Sequence, residues 1–204
     1  HVTKEFKIRK GLKTSTLVAV NDVSFTLDPG KTIALVGESG SGKSTIAKMI
    51  LRLEMPTKGK ITIDGVPSTV TGRALKNYRH MVQMVFQDPF ASLNPFHSIG
   101  HHIERPLRVH GRAKNRKEAN EAVQELLDRV NLQPPAEMAR RRPHELSGGQ
   151  RQRVAIARAI APGAKYLIAD EPVSMLDVSI RLSVLNLLAR LQREDNLGVL
   201  YITH

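Results

Sequence analysis

The sequence predicts an α/β fold, a parallel sheet of short apolar strands with helices between them. Three observations predict it. Thr32-Ile33-Ala34-Leu35-Val36 is an apolar run that suits a buried parallel strand. A glycine-rich stretch follows it, and then Ile46-Ala47-Lys48-Met49-Ile50-Leu51, which suits a helix. Tyr166-Leu167-Ile168-Ala169 is a second apolar run and ends in Asp170-Glu171. Val199-Leu200-Tyr201-Ile202-Thr203 is a third and ends in His204.

The elements follow in order. Residues 1–36 read as alternating strands and turns, with a turn at Asp28-Pro29-Gly30. Val2, Phe6 and Ile8 share strand parity, as one buried face would. Gly59-Lys60-Ile61-Thr62-Ile63-Asp64-Gly65 reads as a short strand bounded by glycines, and a β-like run from Met81 leads into Val85-Phe86-Gln87-Asp88-Pro89. From about residue 98 to 145 the character changes. Ala119, Ala122, Val123, Leu126, Leu127 and Val130 recur at helical spacing, and Pro134-Pro135 is expected to end that helix. Val154-Ala155-Ile156-Ala157-Arg158-Ala159-Ile160 is helical and rich in alanine. Ile180, Val184, Leu187, Leu188 and Leu191 form another apolar helix face, and Asn196-Leu197-Gly198 turns the chain into the last strand. No internal repeat or low-complexity tract is present.

Gly37-Glu38-Ser39-Gly40-Ser41-Gly42-Lys43-Ser44-Thr45 fits G-x-x-x-x-G-K-[ST], and a strand before it and a helix after it are the context that motif requires. Glycines let the backbone bring its N–H groups against phosphate oxygens, and the helix adds the positive end of its dipole. Lys43 would reach the β- and γ-phosphates, and the Ser44 hydroxyl is placed for Mg²⁺. Asp170 and Glu171 stand at a strand end, where open α/β sheets bind ligands, and as neighbours on a strand they need not share a task. Leu146-Ser147-Gly148-Gly149-Gln150 sets a serine and two glycines at a helix start, which is again anion-binding chemistry.

Composition bounds the rest. At 204 residues, 41% of them hydrophobic, the chain is long enough for one domain with a good core. It has no run near the ~18 apolar residues of a membrane span. With no cysteine it has neither disulfides nor thiolate metal sites. His97, His101, His102 and His110 lie in a polar stretch without acidic partners at ligand spacing, and read as solvated or interfacial rather than zinc-binding. The net charge of +12 is concentrated in Arg105 through Lys117, which holds no acidic residue, and in Arg140-Arg141-Arg142. Such patches attract nucleic acid or the inner face of a membrane. With aromatics at only 4%, base-stacking platforms are not expected, and the membrane-adjacent reading is favoured.

The glycine-rich loop, Leu146-Ser147-Gly148-Gly149-Gln150 and Asp170-Glu171 together resemble the ATP-binding cassette (ABC) ATPases over nearly the whole chain. The resemblance implies a P-loop NTPase (RecA-like) core with an antiparallel β subdomain and an inserted α-helical subdomain. It implies a single domain over 1–204, with a catalytic core of about 1–97 and 146–204 and a helical part of about 98–145. The chain starts at His1 and stops at His204, so it looks like a piece of a longer protein. The C-terminal part of the native domain is expected to be missing, which would leave the last strand as a sheet edge or without its cover.

Roles follow from the same resemblance. Asp170 goes to Mg²⁺ and Glu171 to the attacking water. Gln87 resembles the glutamine of the loop that touches Mg²⁺ and the water and relays to a membrane partner. His204 resembles the switch histidine at the γ-phosphate. Asp177, in Ser174-Met175-Leu176-Asp177, resembles the dimer-contact loop, although many relatives carry Ala where Met175 stands. Ser147, Gly148, Gly149 and Gln150 would close over the γ-phosphate held by a second domain. Phe6 sits where an aromatic usually stacks on adenine; that role and a buried strand face remain alternatives.

Phe86-Gln87-Asp88-Pro89-Phe90-Ala91-Ser92-Leu93-Asn94-Pro95 looks like the ATPases of oligopeptide, dipeptide and nickel importers. Phe90, Leu93 and Phe96 either pack on the helical part or meet a membrane subunit. The implied protein hydrolyses ATP at the cytoplasmic face of a membrane, bound peripherally. Its partners would be a second cassette, two permease subunits and, indirectly, a solute-binding protein, without nucleic acid. A soluble ABC protein acting on ribosomes or DNA is the alternative. A P-loop kinase is disfavoured by the intact Leu146–Gln150 motif.

Overall fold

The computed structural model describes residues 1–11 and 13–204. It opens with a hairpin of β1 (Val2–Lys10) and β2 (Lys13–Val23), followed by β3 (Thr32–Val36) and α1 (Lys43–Ile50). A small antiparallel pair, β4 (Thr62–Ile63) and β5 (Val66–Pro67), precedes α2 (Gly72–Met81) and β6 (Val82–Val85). Then come α3 (Ile99–Val109), α4 (Arg116–Arg129), α5 (Pro135–Arg140) and a 3₁₀ turn, Pro143–Glu145. The chain closes with α6 (Gly148–Ile160), β7 (Tyr166–Asp170), α7 (Val178–Glu194) and β8 (Gly198–Thr203).

The central sheet is parallel, in the order β3-β8-β7-β6. Alternation along each strand divides two layers. Leu167 and Val199 face a large core shared with α3, α4, α6 and α7. Ile168, Leu200 and Ile202 face a second core, with Ala47 of α1 and Tyr78 of α2. Ile103, Leu127, Ile156 and Leu188 are almost wholly buried in the first layer, and each stabilises by about 1.5–3 kcal/mol. The helices between β6 and α6 are therefore welded to the sheet through one continuous core. Among the described residues no helix is long and apolar enough to cross a membrane.

Helix starts follow their capping residues. Ser98 accepts from His101 N at 3.3 Å, and Asn115 accepts from Glu118 N at 2.9 Å. Several expectations need correction. β3 is an edge strand: Ile33 and Leu35 pack inward, but Thr32, Ala34 and Val36 are exposed, Val36 by 64%. The last strand, β8, is not an edge; it lies between β3 and β7, with Val199, Leu200 and Ile202 buried. Pro134-Pro135 does not end α4. That helix stops at Val130, where Asn131 turns left-handed (φ 57°) and donates to Asp128 O, and the proline pair starts α5. Only Thr62–Ile63 of the 59–65 stretch is strand. Ile8 is exposed while Val2 and Phe6 are half-buried, so the Val2/Phe6/Ile8 parity is not one buried face.

Candidate functional site

Register brings the candidate residues together. Val36 pairs with Thr203, Asp170 with Ile202 and Val85 with Ala169, so the carboxyl ends of all four central strands are aligned. The loop before α1, the segment after β6, the Asp170-Glu171 corner and His204 all leave the sheet at that edge.

The loop before α1 turns through Gly40 (φ 82°) and Gly42 (φ 92°), a region open to glycine. A Cβ on Gly42 would sit 2.2 Å from Ala19 O of β2, so glycine is required there for close approach as well. Gly42 caps α1 without any side-chain hydrogen bond, which leaves the first N–H groups of that helix directed into the loop. Lys43 is buried, and its Nζ donates to Gly37 O at 2.5 Å and Glu38 O at 2.8 Å. An ammonium held by neutral carbonyls alone favours an added anion.

Asp170 lies near Lys43. Burial pushes its carboxyl above the usual range, the Glu171 charge adds to that, and Lys43, Lys48 and His204 pull it back. Glu171 has a left-handed backbone (φ 42°), anchored by its N–H to Ile202 O at 2.9 Å. That turn aims its carboxylate back across the strand ends. Gln87 Nε2 donates to Glu171 Oε2 at 2.8 Å, and His204 Nε2 lies 2.5 Å from Glu171 Oε1. Two residues from two other segments thus meet on the Glu171 carboxylate.

Other expected residues stay apart from that cluster. Ser147 and Gln150 satisfy each other: Ser147 N donates to Gln150 Oε1 at 3.0 Å, and Gln150 N to Ser147 Oγ at 3.3 Å. The Asp177 side chain makes no cap for α7. The Phe6 ring is half-buried, with Lys4 Nζ 4.7 Å from its centroid.

A profile described as "ABC transporter" matches residues 20–174. The chain belongs to the ABC transporter family. It is 50% identical, over its whole length, to "Glutathione import ATP-binding protein GsiA" of Pectobacterium atrosepticum, covering 33% of that protein. It is 49% identical over its whole length to "Oligopeptide transport ATP-binding protein AppF" of Bacillus subtilis, covering 62%. It thus spans one third to two thirds of the curated relatives it matches. Its fold is that of the dimeric ATP-binding cassette MJ0796 solved in a post-hydrolysis state with ADP and Pi (TM-score 0.85, 32% identity, all of this chain and 85% of that one). It also matches cbiO1 of Clostridium perfringens, part of the ABC transporter complex cbiONQ (TM-score 0.81, 26% identity, all of this chain and 77% of that one).

The residues of this ABC chain fit a nucleotide and its cation. The uncapped α1 start and the buried Lys43 suit phosphate oxygens. The exposed Ser44 hydroxyl and the Asp170 carboxylate make the sparse oxygen donor set that Mg²⁺ takes beside phosphates. A cleft of about 1100 Å³ runs from Asp170 past Phe86 and Gln87 to His97 and Arg105.

Some contributors are not apparent from sequence. Arg151 lays its guanidinium 4.1 Å from the Phe90 ring centroid, tying the helix after the signature turn to the glutamine loop. Arg158, half-buried on the same helix, donates to Ser92 O. Helical spacing from Ser147 was the available signal. Leu93 is buried in the main core, while Phe90 and Phe96 are exposed. One histidine reading is corrected: His102 is buried, and its Nε2 donates to Asn94 O at 3.0 Å, so it is neither solvated nor interfacial. His97 and His101 stack with centroids 4.2 Å apart.

Proposed function

We propose that the chain is an ATP-binding and ATP-hydrolysing cassette of an ABC importer, one domain over 1–204 with the helical part at about 98–145. The observation that carries this is the meeting of Gln87, Glu171 and His204 beside Lys43 and Asp170 at one sheet edge. The N–H groups at the α1 start and Lys43 bind and orient the triphosphate of ATP. Glu171 takes the proton of the attacking water, Gln87 fixes its carboxylate, and His204 holds it from the other side, facing the γ-phosphate. Ser44, Gln87 and Asp170 would hold Mg²⁺, which neutralises phosphate charge when bound. Phe6 offers a ring to adenine. Ser147–Gln150 and Asp177 serve the site of a second cassette.

The solute is of the peptide class, as the names of the relatives suggest. The membrane partners are two permease subunits, fed by a solute-binding protein. Phe90 and Phe96, exposed beside the glutamine loop, support a docking role, and Arg140-Arg141-Arg142 support a membrane-adjacent face. No observation favours a soluble role on ribosomes or DNA.

The test is Lys43→Ala. Loss of charge-assisted bonds worth ~1.5–3 kcal/mol each should weaken ATP binding by roughly ten- to a hundredfold in a calorimetric titration. Unchanged affinity would remove the phosphate-loop reading.

A further inference from the structure

We propose that Gln152 is a positioning residue, whose amide pairs with the backbone of residues 174–178 only when that segment engages a second ATP-bound cassette. The inference rests on the two-cassette reading above and adds a residue to it.

Gln152 is fully buried, and neither its Oε1 nor its Nε2 has a hydrogen-bond partner among the described residues. A buried amide without partners is costly and rare, and calls for an account. Its place on α6 supplies one. Gln152 lies three and four residues after Gly149 and Gly148, so all three share a helix face. That face presses on the start of α7. A Cβ on Gly149 would stand 2.7 Å from Ile180 Cγ2, and one on Gly148 3.6 Å from Leu176 Cδ2.

The facing segment is itself incomplete. Its carbonyls are taken: Leu176 O accepts from Arg181 Nε at 2.9 Å, Val173 O from Leu176 N at 3.1 Å, and Ser174 O from Arg181 Nη2 at 3.5 Å. Its donors are not all used. Asp177 stands at the N-cap of α7; its carbonyl accepts from the N–H groups of Ile180 at 2.9 Å and Arg181 at 3.1 Å, but its side chain caps nothing, so the N–H groups of Val178 and Ser179 have no partner from it. Gln152 Oε1 is thus an orphaned acceptor on the α6 face that packs, through Gly148 and Gly149, against Leu176 and Ile180. A small displacement of 174–178 toward α6 would bring a free N–H of that segment, such as that of Val178, to Gln152 Oε1. That segment carries Asp177, and α6 begins at Ser147, the two places assigned above to the neighbouring cassette. Closure is the event that would move one against the other.

The experiment replaces Gln152 by Leu, which keeps most of the volume and removes the amide, in the full chain. Three quantities are read: nucleotide-free Tm, the KM and kcat for ATP, and ATP-driven dimerisation in a Glu171→Gln background. The expected result is a Tm unchanged or raised, since no bond is lost at rest, and an unchanged KM. kcat and dimer affinity should both fall about tenfold, as loss of one buried hydrogen bond implies. A lowered Tm would show the amide already bonded in the resting state, and would overturn the proposal. So would unchanged kcat and dimerisation. Hydrogen exchange on the Glu171→Gln protein with Gln152 intact gives an independent reading: ATP should protect the amides of 175–179, and no protection would overturn the proposal. A dimer indifferent to Gln152→Leu sinks this inference alone. No dimer at all in Glu171→Gln sinks the two-cassette reading and this inference with it.

Discussion

The strand-end cluster and the signature turn are two pieces of anion chemistry that the same chain handles in opposite ways. At the strand ends, four segments deliver Lys43, Gln87, Asp170, Glu171 and His204 to one place, and the Glu171 carboxylate is already gripped from both sides. At the Leu146–Gln150 turn, the side chains of Ser147 and Gln150 bond only to each other's backbone N–H, and no residue of the strand-end cluster bonds to them among the described residues. The first arrangement is assembled within one molecule. The second is a cap whose hydroxyl finds no anion in its own chain, which is the form half of a shared site would take.

The comparison breaks most sharply at Glu171. Glu171→Gln keeps the contacts of the cluster and removes the base, so ATP should still bind while turnover falls by roughly 10²–10⁴-fold. The variant should accumulate as an ATP-bound dimer, and Ser147→Arg on top of it should restore the monomer by crowding the neighbour's phosphate. Light scattering with saturating ATP checks both; a Glu171→Gln monomer would mean that the signature turn is only a helix cap.

A smaller effect separates catalysis from coupling. Phe90→Ser with Phe96→Ser changes no residue of the strand-end cluster, although it removes the contact of Phe90 with Arg151, so ATP affinity should hold. Transport per ATP hydrolysed should fall several-fold in vesicles carrying the whole complex. Full transport would detach this loop from any membrane partner.

The smallest effect lies in the helical part and is set by pH. Burial holds His102 below the ordinary 6.5 of histidine, and the nearby Arg158, His101 and His97 charges press the same way against its bond to Asn94 O. A depressed folded-state value means that the contribution is fully present above pH 6.5 and is lost as pH falls through 6.5 toward the lowered value. Thermal melting should therefore drop by a few degrees on acidification, and less in His102→Gln. Identical pH profiles for the two proteins would remove His102 as the cause.

Much of the site was legible because its chemistry sits where apolar runs stop. Val36, Ala169 and Thr203 each hand over to a candidate site residue, and the register of a parallel sheet brings such ends together. What resisted reading concerns faces rather than elements. An apolar run such as Thr32–Val36 shows that a strand exists, not that nothing covers one side of it. His102 and Gln152 are polar residues on helices, and polarity alone assigns them to the surface; only the packed structure reveals that they are inside. Pro134-Pro135 can end one helix or begin the next, and the left-handed Asn131 decides between the two.

The contact between Gly42 and Ala19 has a mechanical consequence. The backbone of β2 leaves no room for a Cβ at the root of α1, and Val20 and Ile46 bury against each other beside it. The hairpin that carries Phe6 opposite Leu17 is thus bolted to the helix that carries Lys43. The two jaws that would grip base and phosphates form a fixed-gauge calliper rather than a hinge. If the chain binds nucleotide as proposed, such a gauge would fix the spacing of base and phosphates and leave adjustment to other parts of the assembly.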